Sequence, residues 1–323
     1  MKTKYYQNKK ALLQNLYHKN HVLFPNPVPS LGLDEKTYLS LITPYTDLIA
    51  TGRDSNGDHV YPKSVPFEKY INFGNVDSEI SVCFHILISA FEKRLRAYLI
   101  TIFSEKMRLS GDAQCSRVAV LKDYYEKGSL FDLLPYSQEL TSGALLPANV
   151  DEMKRRREVM DEIVNFSTPT STKRPSYIAC HYLETYGYIP LFVSLHSLGL
   201  GSLITLFQML KREDKKAFIS QIDDAGNHLF NDNEICIFQQ NLKTINVIRN
   251  IVNHYEPIFP FILHYDLNKI SRLCNLISQL KSNLSSTMTA PKILPPIEAL
   301  ITRPNNYNKE LFTRLNSVIT ALQ

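Results

Sequence analysis

The sequence predicts an all-α protein with one small β element, and three observations carry that expectation. Apolar residues recur at helical spacing through most of the chain, most clearly over residues 78–107 and 233–256. Alternating apolar and polar runs of the kind that form strands are scarce. The strongest short hairpin signal, an Asn-Gly pair, occurs in Gly52-Arg53-Asp54-Ser55-Asn56-Gly57-Asp58, between Leu48-Ile49-Ala50 and His59-Val60-Tyr61. A small β-hairpin or a long ordered loop is therefore expected near residues 48–62. No period of about 20 to 50 residues repeats itself, so a solenoid or propeller is not expected.

In chain order, residues 3–20 place Tyr6, Leu12, Leu13, Leu16 and Tyr17 at roughly helical intervals with lysines between them, which predicts an amphipathic helix. Pro25 to Leu33 is rich in Pro, Ser and Gly, after which Asp34 offers an N-cap for a short helix toward Ile42. From Ser78 to Met107, Ile80, Val82, Phe84, Ile86, Leu87, Phe91, Leu95, Leu99 and Phe103 follow one another without Gly or Pro, predicting one long buried helix. Further helices are expected over Asp112–Tyr125 and Asn149–Phe166, the second polar and carrying Lys154-Arg155-Arg156-Arg157. Ser167 to Pro175, dense in Ser, Thr and Pro, reads as a loop. Tyr188-Ile189-Pro190 leads into an apolar helix ending near Leu198-Gly199, a second helix begins at Gly201-Ser202 and runs to Lys211, and a short third covers Asp214 to Ile222. Residues 233–256 carry the stripe Ile235, Phe238, Leu242, Ile245, Ile248, Ile251, Val252, which stops before Pro257. Two helices follow, Asp266–Ser282 and Asn308–Leu322. The expected organisation is an N-terminal helical and hairpin extension, residues 1–75, packed on a helical domain, residues 76–323.

At 323 residues and 44% apolar content the chain has ample material for a core, and its 21% charged residues are spread rather than gathered into tails. No stretch reaches the roughly 18 to 20 apolar residues of a membrane helix, and Glu92 and Lys93 interrupt the best candidate. The basic N-terminus is followed by no apolar signal core, so a cytoplasmic location is expected. Five widely spaced cysteines, Cys83, Cys115, Cys180, Cys236 and Cys274, predict buried reduced thiols. The net charge of +5 permits a polyanionic partner without requiring one.

The chemistry concentrates in Ile248-Arg249-Asn250-Ile251-Val252-Asn253-His254, at the end of the 233–256 helix. At about 100° per residue, Asn250 and His254 share one face and Arg249 and Asn253 the next, and the long arginine side chain reaches the neighbouring stripe. A histidine moves protons near neutral pH, and an arginine grips a phosphate through two hydrogen bonds. Read from these residues alone, the plainer alternative is that Arg249 and His254 merely cap the helix end as cations complementing its C-terminus. Looser Arg-to-His spacings, Arg53 to His59 and Arg174 to His181, lack an Asn after the Arg and lie in turn or proline contexts.

Arg-Asn-x-x-x-His late in an apolar helix resembles the signature of the HEPN superfamily (higher eukaryotes and prokaryotes nucleotide-binding), and the surrounding chain resembles the bacterial Abi-like, abortive-infection proteins. Three further blocks are similar in the same order: Phe67-Glu68-Lys69-Tyr70; Phe91-Glu92-Lys93-Arg94-Leu95-Arg96; and Pro190-Leu191-Phe192-Val193 through Leu198-Gly199 and Leu203. The resemblance spans roughly residues 5–265. It implies a HEPN-type helical bundle with additional helices and a metal-independent endoribonuclease of phage defence or a toxin–antitoxin pair. It also implies a homodimer whose composite site takes Arg249, Asn250 and His254 from each subunit. The implied partners are the RNA substrate, a second copy of the chain, and an RNA or protein antitoxin; no cofactor and no membrane is implied. Asn253 stands where the family usually has a small residue, and Tyr255-Glu256-Pro257 follows instead of another histidine.

Other residues weigh less. Glu92 and Arg96, four apart, have ion-pair spacing, and the resemblance offers them as site-lining or bracing groups. Lys154, Arg155 and Arg156 are RNA-phosphate candidates, set against the plainer reading of a solvated helix face beside Asp151, Glu152 and Glu158. The remaining histidines show no metal-ligand spacing, so no metal site is expected. Phosphate-loop, dinucleotide-binding and nucleophile-elbow fingerprints are absent from the sequence. The principal alternative is a non-catalytic HEPN RNA-binding protein. A nucleotidyl-transferring protein ranks below it, because no Asp-x-Asp follows Gly128-Ser129 or Gly201-Ser202.

Overall fold

The computed structural model describes residues 14, 16–24, 42–109, 148–166, 177–187, 189–222, 232–264, 267–282 and 309–322. Over them the chain is predominantly helical with two pairs of very short strands. The elements are β1 (Val22–Leu23), a 3-10 turn (Thr43–Tyr45) running into α1 (Thr46–Ile49), β2 (Gly52–Arg53), β3 (His59–Val60), β4 (Val65–Pro66) and α2 (Phe67–Leu109). Then come α3 (Ala148–Phe166), α4 (Tyr177–Tyr186), α5 (Leu191–His196), α6 (Leu200–Met209), α7 (Arg212–Ile222) and α8 (Asp232–Asn253). The last three are α9 (Phe259–Leu263), α10 (Leu267–Ser282) and α11 (Lys309–Leu322). The helices expected from Asp34 and over Asp112–Tyr125, and the segments Pro25–Leu33 and Ser167–Pro175, lie outside the described residues. So does most of the expected 3–20 helix, of which residues 14 and 16–19 are helical.

The long helix begins eleven residues before the expected Ser78. Gly74 and Asp77 interrupt the apolar pattern there, yet Phe67, Tyr70, Phe73 and Val76 keep the buried stripe going at intervals of three. The hairpin is shorter than expected, because Thr46–Ile49 is helical and only Gly52 and Arg53 pair with Val60 and His59. Its loop is not a two-residue Asn-Gly turn. Gly57 N–H bonds the Asp54 carbonyl at 3.0 Å, and Asp54 N–H bonds the Asp58 carbonyl at 2.9 Å. The Asp54 carboxylate accepts from Asn56 and Asp58 N–H at 2.8 and 2.9 Å. Gly57 takes φ +79°, the left-handed residue of a three-residue loop. The parallel pairing of β1 with β4, Val22 opposite Val65, was not anticipated, since two-residue strands leave no periodic trace.

The chain divides into two compact units, residues 1–88 with 247–323, and residues 89–246. In the first, α10 packs against α11, and the two helices carry the same buried spacing: Ile270, Leu273, Leu276, Ile277, Leu280 and Phe312, Leu315, Val318, Ile319, Leu322. Each such side chain contributes roughly 1.5–3 kcal/mol by leaving water. The ring of Tyr45 stacks on Phe73 and meets Phe259 edge-on, and Phe73 stacks on Phe312. In the second unit α3 packs on α5 and α6, and α6 is buried almost all round through Leu200, Leu203 to Phe207 and Met209. Phe218 gathers Phe91, Tyr98, Phe207 and Phe238 around it.

Helix α4 was not anticipated; it packs Ala179, Tyr182 and Leu183 against Ile189 and Val193. Its sequence is mostly polar or aromatic, so its apolar stripe is narrow. The described cysteines carry free thiols, but only Cys83 is buried; Cys180, Cys236 and Cys274 are half-buried, which corrects the expectation for those three. Among the described residues no helix is long and apolar enough to cross a membrane.

Candidate functional site

The Arg249–His254 cluster spans the last turn of α8 and the residue that follows it, and the buried stripe lies beside it. Leu242, Ile245, Ile248 and Val252 are buried along one side of the helix, while Asn250, Asn253 and His254 are exposed. Arg249 is half-buried, and its guanidinium bends to the Asn250 face, with Nη1 donating to Oδ1 at 3.3 Å. Asn250 thus brings the arginine onto the stripe that holds His254. The motif combines a cation, a carboxamide and an imidazole in one exposed turn.

The helix then ends in a Schellman motif. His254 N–H still reaches the Asn250 carbonyl at 3.0 Å, Tyr255 N–H turns to Val252 at 3.2 Å and Glu256 N–H to Ile251 at 3.0 Å. Tyr255 holds φ +56°, the left-handed conformation that this motif usually gives to glycine. Pro257 follows and prevents the helix from resuming.

Beyond the turn the chain is pinned by a carboxylate that sequence reasoning missed. Asp77, only 4% exposed on α2, accepts from the N–H groups of Phe259 at 2.8 Å and Ile258 at 3.0 Å, and from the Tyr45 hydroxyl at 3.1 Å. It caps the first turn of α9 from a distance of 181 residues in sequence. Burial pushes its carboxyl up to about 6, against the downward pull of Phe259, Tyr45 and Ile258. The Tyr45 hydroxyl is raised as well, by burial first and then by the charge on Asp77. A sequence signal existed: Asp77 is a lone acid on the buried stripe between Phe73 and Ile80.

Glu92 and Arg96 form a close pair, 2.6 Å apart. Arg96 also donates to the carbonyls of His196 at 2.7 Å and Leu198 at 2.9 Å, so its guanidinium caps the C-terminal end of α5. These two residues hold α2 to the end of α5. In the basic run, Lys154 and Arg155 are exposed, with Lys154 4.0 Å from Glu158. Arg156 is 1% exposed, so the run is not a uniformly solvated face. Among the described residues no group of three or more His, Cys, Asp or Glu side chains is placed to hold a metal ion.

Fold and site define a predominantly helical protein with an Arg–Asn–His cluster at a helix C-terminus, its Asn and His exposed and its Arg half-buried. The chain belongs to the Abi-like protein family, whose model matches residues 33–260, more than half of its length. No curated protein and no solved structure matches it.

Proposed function

We propose that the chain is a metal-independent endoribonuclease of the HEPN type, acting in an abortive-infection or toxin–antitoxin system. The observation that carries this reading is the Arg249–Asn250–His254 turn, with Asn250 and His254 exposed and Arg249 half-buried, in a member of the Abi-like family. In the proposed reaction a ribose 2′-hydroxyl attacks the adjacent phosphate. The 2′-oxygen forms a bond to phosphorus and loses its proton, while the bond to the 5′-oxygen breaks and that oxygen gains a proton. The products are a 2′,3′-cyclic phosphate and a 5′-hydroxyl. His254 moves the protons, Arg249 holds the phosphate and offsets its growing charge, and Asn250 keeps the guanidinium aimed.

The site is proposed to be completed by a second copy of the chain, whose motif supplies the opposing proton donor or acceptor. Val247, 46% exposed, lies on the same helical face as Ile251 and His254 and gives that contact an apolar footing. Lys154 and Arg155 are proposed as secondary phosphate contacts, and an antitoxin, RNA or protein, as the partner that holds the enzyme silent. Glu92 and Arg96 are assigned a bracing role.

The test is incubation of purified protein with total RNA in EDTA, comparing wild type with His254→Ala and Arg249→Ala and analysing fragment ends. Fragments from wild type alone, ending in cyclic phosphate, support the reading. Equal traces from all three proteins with RNA still bound would replace it with an RNA-binding module.

A further inference from the structure

Tyr255 is placed where the fold has no use for it. It occupies the left-handed position of the α8 Schellman motif, a conformation that sets a β-carbon close to its own backbone. At the end of α4 the same molecule fills the left-handed position with Gly187, φ +73°, whose N–H bonds the Leu183 carbonyl. At the end of α8 it carries a tyrosine instead, and the side chain is 95% exposed, so packing does not compensate the strain. Among the described residues the other non-glycine at positive φ is His21, whose carbonyl accepts the Val65 N–H.

We infer that Tyr255 is the base-stacking residue of the site, presenting its ring to a nucleobase beside the phosphate held by Arg249 and His254. The inference rests on the ribonuclease reading and deepens it. Arg249, Asn250 and His254 serve the phosphate and the protons, which every nucleotide shares, so they leave the bases unattended. A planar π-face next in sequence to the proton-moving histidine supplies the missing contact, and every base has a face that stacks on it. The surroundings favour a base over a protein partner at this ring. Its chain neighbours Asn253, His254 and Glu256 are all exposed and polar, so along this turn the ring is a single aromatic plate between polar residues. A single plate with a polar rim fits a nucleobase.

The experiment uses the full chain with the His254→Ala change to prevent turnover, and compares Tyr255 with Tyr255→Phe, Tyr255→Ala and Tyr255→Gly. Binding is read by fluorescence anisotropy with a labelled single-stranded oligoribonucleotide of mixed sequence and with an abasic oligomer of the same length. Losing one stacked base weakens binding about 5- to 150-fold, so Ala and Gly should lose that much on the ordinary oligomer and nothing on the abasic one. Phe should retain the wild-type preference for bases. The denaturation midpoint of Tyr255→Gly should rise, as relief of left-handed strain predicts, which separates lost binding from lost folding. Unchanged binding by Tyr255→Gly overturns the inference, while cleavage by wild type and not by His254→Ala would leave the ribonuclease reading standing. Absence of both RNA binding and cleavage from every protein overturns the two together. A shift of Tyr255→Gly from dimer to monomer in sedimentation would also overturn it, by making the ring a subunit contact.

Discussion

Replacing Asp77 by alanine strips three buried donors of their acceptor at once: the N–H groups of Ile258 and Phe259 and the hydroxyl of Tyr45. Each orphaned donor costs roughly 1–3 kcal/mol. Local relaxation and entering water shave the sum, so a loss on the order of 4 kcal/mol is expected, a large share of the ~5–15 kcal/mol that stabilises a domain. Asp77→Asn behaves differently. Its amide oxygen still accepts from both N–H groups, its NH2 faces the Tyr45 oxygen, and the buried charge is gone, so it should stay within about 1 kcal/mol of wild type at pH 7. The two chains should then diverge on acidification. The folded carboxyl titrates near 6 and the unfolded one near 3.8, so between those values folding takes up a proton and acid favours the folded wild type. Relative to Asp77→Asn, wild type should gain about 2–3 kcal/mol between pH 7 and pH 4, a contribution lost again as pH rises through 6. Subtracting the two urea midpoint series cancels the other carboxylates. An Ala variant within 1 kcal/mol of wild type, or a difference that stays flat with pH, would refute the reasoning.

His254→Ala and Arg249→Ala should each reduce RNA cleavage by about 10²- to 10⁴-fold in a gel-based time course, while thermal denaturation moves by no more than roughly 0.5 kcal/mol because these side chains are exposed or half-exposed. Arg96→Ala should cost about 2–3 kcal/mol in a denaturant titration by freeing the His196 and Leu198 carbonyls, and Arg96→Lys should not restore it, since an ammonium cannot span Glu92 and both carbonyls. Leu315→Ala, in the fully buried stripe between α10 and α11, should cost about 2–5 kcal/mol by the same measurement. Val247→Arg should yield a monomer in analytical ultracentrifugation and lose cleavage with it; an active monomer would remove the composite site.

Where local and distant forces agree, the chain was legible. The stripes of α8, α10 and α11 repeat at three and four residues, each helix buries that stripe, and their expected bounds lie within a few residues of those observed. The motif was legible for the same reason, because a helix fixes the angles between Arg249, Asn250 and His254 whatever else surrounds them. Asp77 was not, since its partners are backbone N–H groups 181 residues away and backbone groups carry no residue signature. Helix α4 and the two-residue strands were hidden by weak or absent periodicity.

Tyr255 is a different kind of illegibility. Read locally, a tyrosine before Glu256-Pro257 gives no sign of a left-handed turn, because that position ordinarily calls for glycine. The fold holds it there through two backbone bonds and gains no burial in return. A residue that weakens its own helix end and stays 95% exposed contributes nothing to the chain's stability. Its place directly after His254 is why we propose the substrate as its partner. If Tyr255→Gly makes the protein more stable and a poorer binder of RNA, the misfit is a functional choice; if stability rises and binding is untouched, the strain is an accident of this sequence.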